Sequence, residues 1–108
     1  NLGYRDYKEL GPGEIDLIPE ALELARDGIL PAGMYRNRHY AEAAVDPGST
    51  ELAVQDMLYD PQTSGGLLIA AAPEDADALL RELRGAVPSA QRIGVVEAYN
   101  GGPRISLR

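Results

Sequence analysis

The segment Asp60-Pro61-Gln62-Thr63-Ser64-Gly65-Gly66 gathers a carboxylate, an amide, two hydroxyls and two adjacent glycines within seven residues. Hydroxyls and exposed backbone N–H groups can donate to an anion, and glycine lets a backbone take positive φ or approach a ligand closely. Phosphate or a nucleotide is the ligand class such a loop would take. The Walker arrangement is not met, because no Lys follows the glycines and the next six residues, Leu67 to Ala72, are apolar and strand-like. The same composition also makes an ordinary surface turn. Asp60 could serve as a general base or metal ligand, yet a carboxylate directly before proline is also a common turn or capping residue.

Other chemistry is narrowed by what the sequence contains. With no cysteine, the chain has no disulfide, zinc-thiolate site or thiol nucleophile of its own. A single histidine, His39, leaves no local imidazole cluster for a transition metal. The formal net charge of −7 opposes a nucleic-acid partner, which needs a concentrated positive face. The one basic cluster, Tyr35-Arg36-Asn37-Arg38-His39-Tyr40, reads as a segment whose arginines pair with surplus carboxylates. The acidic run Glu74-Asp75-Ala76-Asp77 has no glycine kink of a calcium loop and reads as a charged first helical turn. No apolar run approaches the roughly 20 residues that span a bilayer, and the N-terminus lacks the pattern of a signal peptide. A cytoplasmic location is expected, with neither membrane nor nucleic acid as partner.

Elements that would position the loop can be read from periodicity. Residues 1–13 end in Gly-Pro-Gly and read as a linker or disordered N-terminus, leaving 14–108 as a single α+β domain. Glu14 to Ile18 alternates as a short strand would. Pro19 then opens an amphipathic helix along Ile18, Leu22, Ala25 and Ile29, stopped by Gly28. Leu30 to Pro47 has no sustained period and reads as a long loop with a helical turn near His39 to Ala44. Ser49 or Thr50 is placed to cap a helix through Glu51–Leu58, which Pro61 closes. Leu67–Ala72 reads as a strand covered on both faces. Pro73 opens a second amphipathic helix along Ala76, Leu79, Leu80 and Leu83, ended by Gly85. Residues 92–99 read as a strand joined through Asn100-Gly101-Gly102 to a hairpin return at 104–107. The expected fold is α+β, a mixed sheet covered by helices.

The stretch YDPQTSGGLLIA at 59–70 closely resembles the C-terminal signature of selenophosphate synthetase (selenide, water dikinase). LIPEALELARDGILPAGMYRN at 17–37 and RIGVVEA at 92–98 are similar to further segments of that family. The resemblance implies the C-terminal-domain fold of the aminoimidazole ribonucleotide synthetase-like superfamily, present here as a partial domain. Where the family commonly has Gly-Gly-Thr, this sequence has Ala32-Gly33-Met34, which removes a hydroxyl from that segment, while Arg36 and Asn37 are retained.

For a full enzyme the resemblance implies magnesium-dependent phosphorylation of selenide by ATP, giving selenophosphate, AMP and phosphate. It also implies a homodimer built on N-terminal ATP-binding domains. The reactive Cys or selenocysteine, its Lys and the metal-binding aspartates of the family lie in parts not matched here. No catalytic residue, metal ligand or cofactor is therefore assigned within the chain. Asp60, Gln62, Thr63, Ser64, Gly65 and Gly66 are expected to be phosphate-binding or to face the cleft, and Arg36 and Asn37 to form a secondary polar turn. The fragment is expected to be inactive alone. The alternative is a phosphate- or nucleotide-binding, or dimerising, module without catalysis.

Overall fold

The computed structural model describes residues 7–108. Four strands, β1 (Tyr7–Leu10), β2 (Val45–Asp46), β3 (Gly94–Val96) and β4 (Ile105–Leu107), form one sheet in the order β2-β4-β1-β3. β1 runs antiparallel to β3 and parallel to β4, and β2 runs parallel to β4, so the sheet is mixed. The helices are α1 (Pro19–Arg26), α2 (Ala32–Ala41), α3 (Leu52–Leu58) and α4 (Pro73–Ala86). This is an α+β fold.

β1 accounts for two departures from the sequence reading. Residues 7–10 are a strand in the interior of the sheet rather than part of a linker, while residues 1–6 lie outside the described residues. β1 also sits between β3 and β4, so these two do not pair as a hairpin. The turn chemistry that suggested the hairpin is present: Gly101 has φ +87° and the Gly102 N–H donates to Asn100 Oδ1 at 3.1 Å. Local turn signals fix the reversal of the chain, but an inserted third strand is a non-local event that they do not encode.

Helix ends follow the expected chemistry in part. Pro19 and Pro73 occupy first turns, where a missing N–H costs nothing. Gly28 has φ +78° just past α1, and its N–H and that of Ile29 donate to the carbonyls of Ala25 and Leu24. α3, however, starts one residue beyond the expected Ser or Thr cap. Its N-cap is Glu51, which makes no side-chain cap because its carboxylate is held by Arg26 instead. Glu14–Ile18 is not a strand: Gly11 and Pro12 initiate a 3-10 turn over Pro12–Glu14, in which the Glu14 N–H donates to the Gly11 carbonyl. The expected loop at 30–47 is mostly regular structure, namely α2, a 3-10 turn at Glu42–Ala44 and β2.

Two exposed ion pairs tie distant segments together. Arg26 clasps Glu51 through two bonds of 2.8 and 3.0 Å, joining α1 to the start of α3. Arg108 reaches Asp46 at 2.8 Å across the β2–β4 edge, where Gly48 also donates its N–H to Asp46 at 3.1 Å. Gly48 is confined to glycine twice over, by φ +54° and by the Leu107 carbonyl oxygen 2.8 Å from where a Cβ would stand. The bond from Arg26 holds the Glu51 carboxyl below its ordinary range. The bonds from Arg108 and then Gly48 do the same for Asp46. With folded values lowered, both contributions are fully present above the unfolded carboxylate pKa of about 4 and are lost as pH falls through the folded values. The urea midpoint should therefore decline below about pH 4, and less steeply in Glu51→Gln; an identical decline in the variant would refute the Glu51 contribution.

The interior is small for the chain. Among the residues whose burial is described, Ala25, Met34, Ala53 and Leu107 are the buried apolar ones, and α4 buries none of its residues, its stripe of Leu79, Leu80 and Leu83 being half-buried. The accessible surface is 8075 Å², against roughly 5,800 Å² expected for a self-contained protein of this mass. The radius of gyration is 15.0 Å, against about 13 Å for a compact domain of this length.

Leu67–Ala72 marks the largest difference from expectation. It lies outside the sheet and all six residues are exposed, Leu67 at 90%, Leu68 at 68% and Ile69 at 49%. Fully burying side chains of this kind contributes about 1.5–3 kcal/mol each, so this structure leaves that contribution unrealised.

Candidate functional site: the 59–66 loop and the helix that holds its stem

α2 meets the start of the loop through polar and close contacts rather than an apolar face. Pro31 is its N-cap, with no side-chain cap, and its carbonyl accepts from the Met34 N–H at 3.0 Å. Gly33 and Asn37, one turn apart, lie over the loop stem. A Cβ on Gly33 would stand 2.7 Å from Pro61 Cγ, closer than real Cβ contacts come. Asn37 Nδ2 donates to the Tyr59 carbonyl at 2.9 Å. The neighbouring pair, Met34 and Arg38, faces inward: Met34 is fully buried, and Arg38 forms an ion pair with the buried carboxylate of Asp56 on α3.

Tyr59 closes this cluster. The Arg38 guanidinium carbon lies 6.0 Å from its ring centroid, within the reach of a cation–π contact. Burial pushes the phenol pKa up, a shift that Arg38 opposes and Glu42 reinforces. The Tyr59 N–H donates to the Asp56 carbonyl and the Asp60 N–H to the Met57 carbonyl, so the chain leaves α3 in a bonded turn.

Beyond this stem the loop is open. Asp60 is half-buried, and Pro61, Gln62, Thr63, Ser64, Gly65 and Gly66 are exposed. The left-handed residue is Ser64, with φ +53°, whereas neither Gly65 nor Gly66 adopts positive φ. A Cβ on Gly65 would make ordinary contacts with Gln62 at 3.6 Å, and one on Gly66 would meet nothing. Within this chain, then, no steric demand reserves 65 and 66 for glycine.

The structure thus brings Asn37 to the root of the loop but not Arg36, which is exposed and makes no ion pair among the described residues. Both sit inside α2 rather than in a polar turn. Met34, at the position of the missing hydroxyl, is fully buried. His39 is exposed, 3.9 Å from Glu42 on the next turn. Asp56 is the residue that sequence reasoning did not single out, nor did it foresee the close approach at Gly33, whereas Arg38 does pair with a carboxylate as its basic cluster suggested. The one available signal was a glycine at position 33 and an asparagine at 37, at helical spacing ahead of the Tyr59-Asp60-Pro61 stretch.

Gly33→Val should force Pro61 and the loop stem away from α2 at a cost of about 1–3 kcal/mol. Urea unfolding would measure the cost, and the amide shifts of Asp60 and Gln62 would report the displacement. Unmoved shifts would show that the contact does not hold the loop.

No family model matches the chain. Among curated proteins it is 48% identical over 77 residues to selenide, water dikinase of Clostridioides difficile, covering 70% of this chain and 22% of that protein. It is 43% identical over 102 residues to that of Citrifermentans bemidjiense, covering 94% of this chain and 29% of the relative. The chain belongs to the selenide, water dikinase family. A further relative of the same name, from Desulfitobacterium hafniense, is 39% identical over 94 residues, or 87% of this chain and 28% of its own length. The chain thus spans between a fifth and a third of the selenide, water dikinases it matches. Among the described residues no helix is long and apolar enough to cross a membrane.

Proposed function

We propose that this chain is the C-terminal portion of a selenide, water dikinase, serving as scaffold and not as the seat of phosphoryl transfer. The full enzyme would use ATP and magnesium to phosphorylate selenide, yielding selenophosphate, AMP and phosphate, as a cytoplasmic homodimer whose ATP-binding domains lie in the remainder of the polypeptide. The observation that carries this reading is the clamp on the loop. Gly33 and Asn37 fix its stem against α2, while Gln62 to Gly66 are exposed to solvent. A tethered stem with a free tip suits a loop that completes a cleft formed by other polypeptide.

The donor set of the chain argues for the same division of labour. A magnesium–triphosphate group calls for clustered carboxylates and cations to hold developing charge. Among the described residues no three His, Asp or Glu side chains gather closely enough to hold a metal ion. The residues present do not fit that group unaided, so its ligands are attributed to polypeptide beyond this chain. Thr63, Ser64 and the 65–66 backbone remain available to brace the cleft or to donate to a phosphate oxygen.

Calorimetric titration of this chain with magnesium-ATP tests the reading. Absence of measurable heat is the expected result. Micromolar binding that Gly65→Val abolishes would instead make the chain a nucleotide-binding module in its own right.

A further inference from the structure

We draw no further inference here: the strongest candidate, the outer face of α2 on which Tyr35, Arg36, His39 and Tyr40 stand exposed, is an unpartnered helix face for which nothing in the structure shows what covers it.

Discussion

Replacing Arg38 with methionine is expected to destabilise the chain by about 3–5 kcal/mol, because it strands a buried carboxylate. Asp56 is only 4% exposed and its ion-pair partner on α2 is Arg38. The two partners are not equivalent. The Arg38 side chain keeps 22% of its surface in water, so Asp56→Leu, which frees the guanidinium, should cost less than losing the cation. Replacing both, as Arg38→Met with Asp56→Leu, should recover most of the loss, since two apolar groups need no mutual compensation. Urea midpoints for the four proteins form a double-mutant cycle. The phenol of Tyr59 gives an independent readout. Arg38 opposes the upward shift that burial imposes, so its removal should move the ultraviolet titration of Tyr59 to still higher pH. An unchanged titration together with an unchanged midpoint would mean that the pair does not form.

Met34→Ala should cost about 2–5 kcal/mol, the range for truncating a fully buried side chain of this size. Few residues share the burden, for among the described residues the other buried apolar ones are Ala25, Ala53 and Leu107. Because Met34 is the buried residue of α2, the helix that carries Gly33 and Asn37, the loss should also loosen the stem of the loop. Met34→Thr is the informative companion, as it restores the hydroxyl that resembling sequences carry. Its hydroxyl can return to a carbonyl of the preceding turn, but the lost volume leaves a void at a fully buried position. A cost close to that of alanine is expected. A stabilised Met34→Thr protein would show that the position faces the loop instead of the core. Circular dichroism against temperature and the Asp60 amide shift together distinguish these outcomes.

The sequence disclosed elements whose cause is local and hid those whose cause is not. Pro19, Gly28 and Pro73 declare helix ends because each acts on its own backbone, and α1 and α4 appear where their apolar stripes predict. α2 showed no stripe, and the structure gives the reason. Gly33, Asn37 and Arg38 act through a close approach, a side-chain-to-backbone hydrogen bond and an ion pair, and Met34 is its one buried apolar residue. A search for apolar periodicity cannot register three of those four. The insertion of β1 between β3 and β4 was hidden for a similar reason, since strand order depends on pairing across most of the chain. Residues 67–72 were legible as a strand from composition and yet lie outside the sheet, because a strand needs a partner and composition describes only one side.

The candidate site divides along the same line. The loop drew attention through its own residues, and the family through the signature that contains them. The clamp did not, because Asn37 and Tyr59 are 22 positions apart and the hydrogen bond between them leaves no mark in either neighbourhood. Nor could sequence show that the strained residue of the loop is Ser64 and that its two glycines have no steric need within this chain. If those glycines serve close approach, what approaches is another part of the protein or its ligand.

The central claim is that this chain supplies structure, and the remainder of a selenide, water dikinase supplies chemistry. Selenide-dependent ATP consumption tests it most directly, measured in parallel for the isolated chain and for a chimera in which this sequence replaces the matched region of the Citrifermentans bemidjiense relative. The account predicts no consumption above background by the chain and clear consumption by the chimera. Turnover by the isolated chain, abolished by substitution of Thr63 or Ser64, would contradict it.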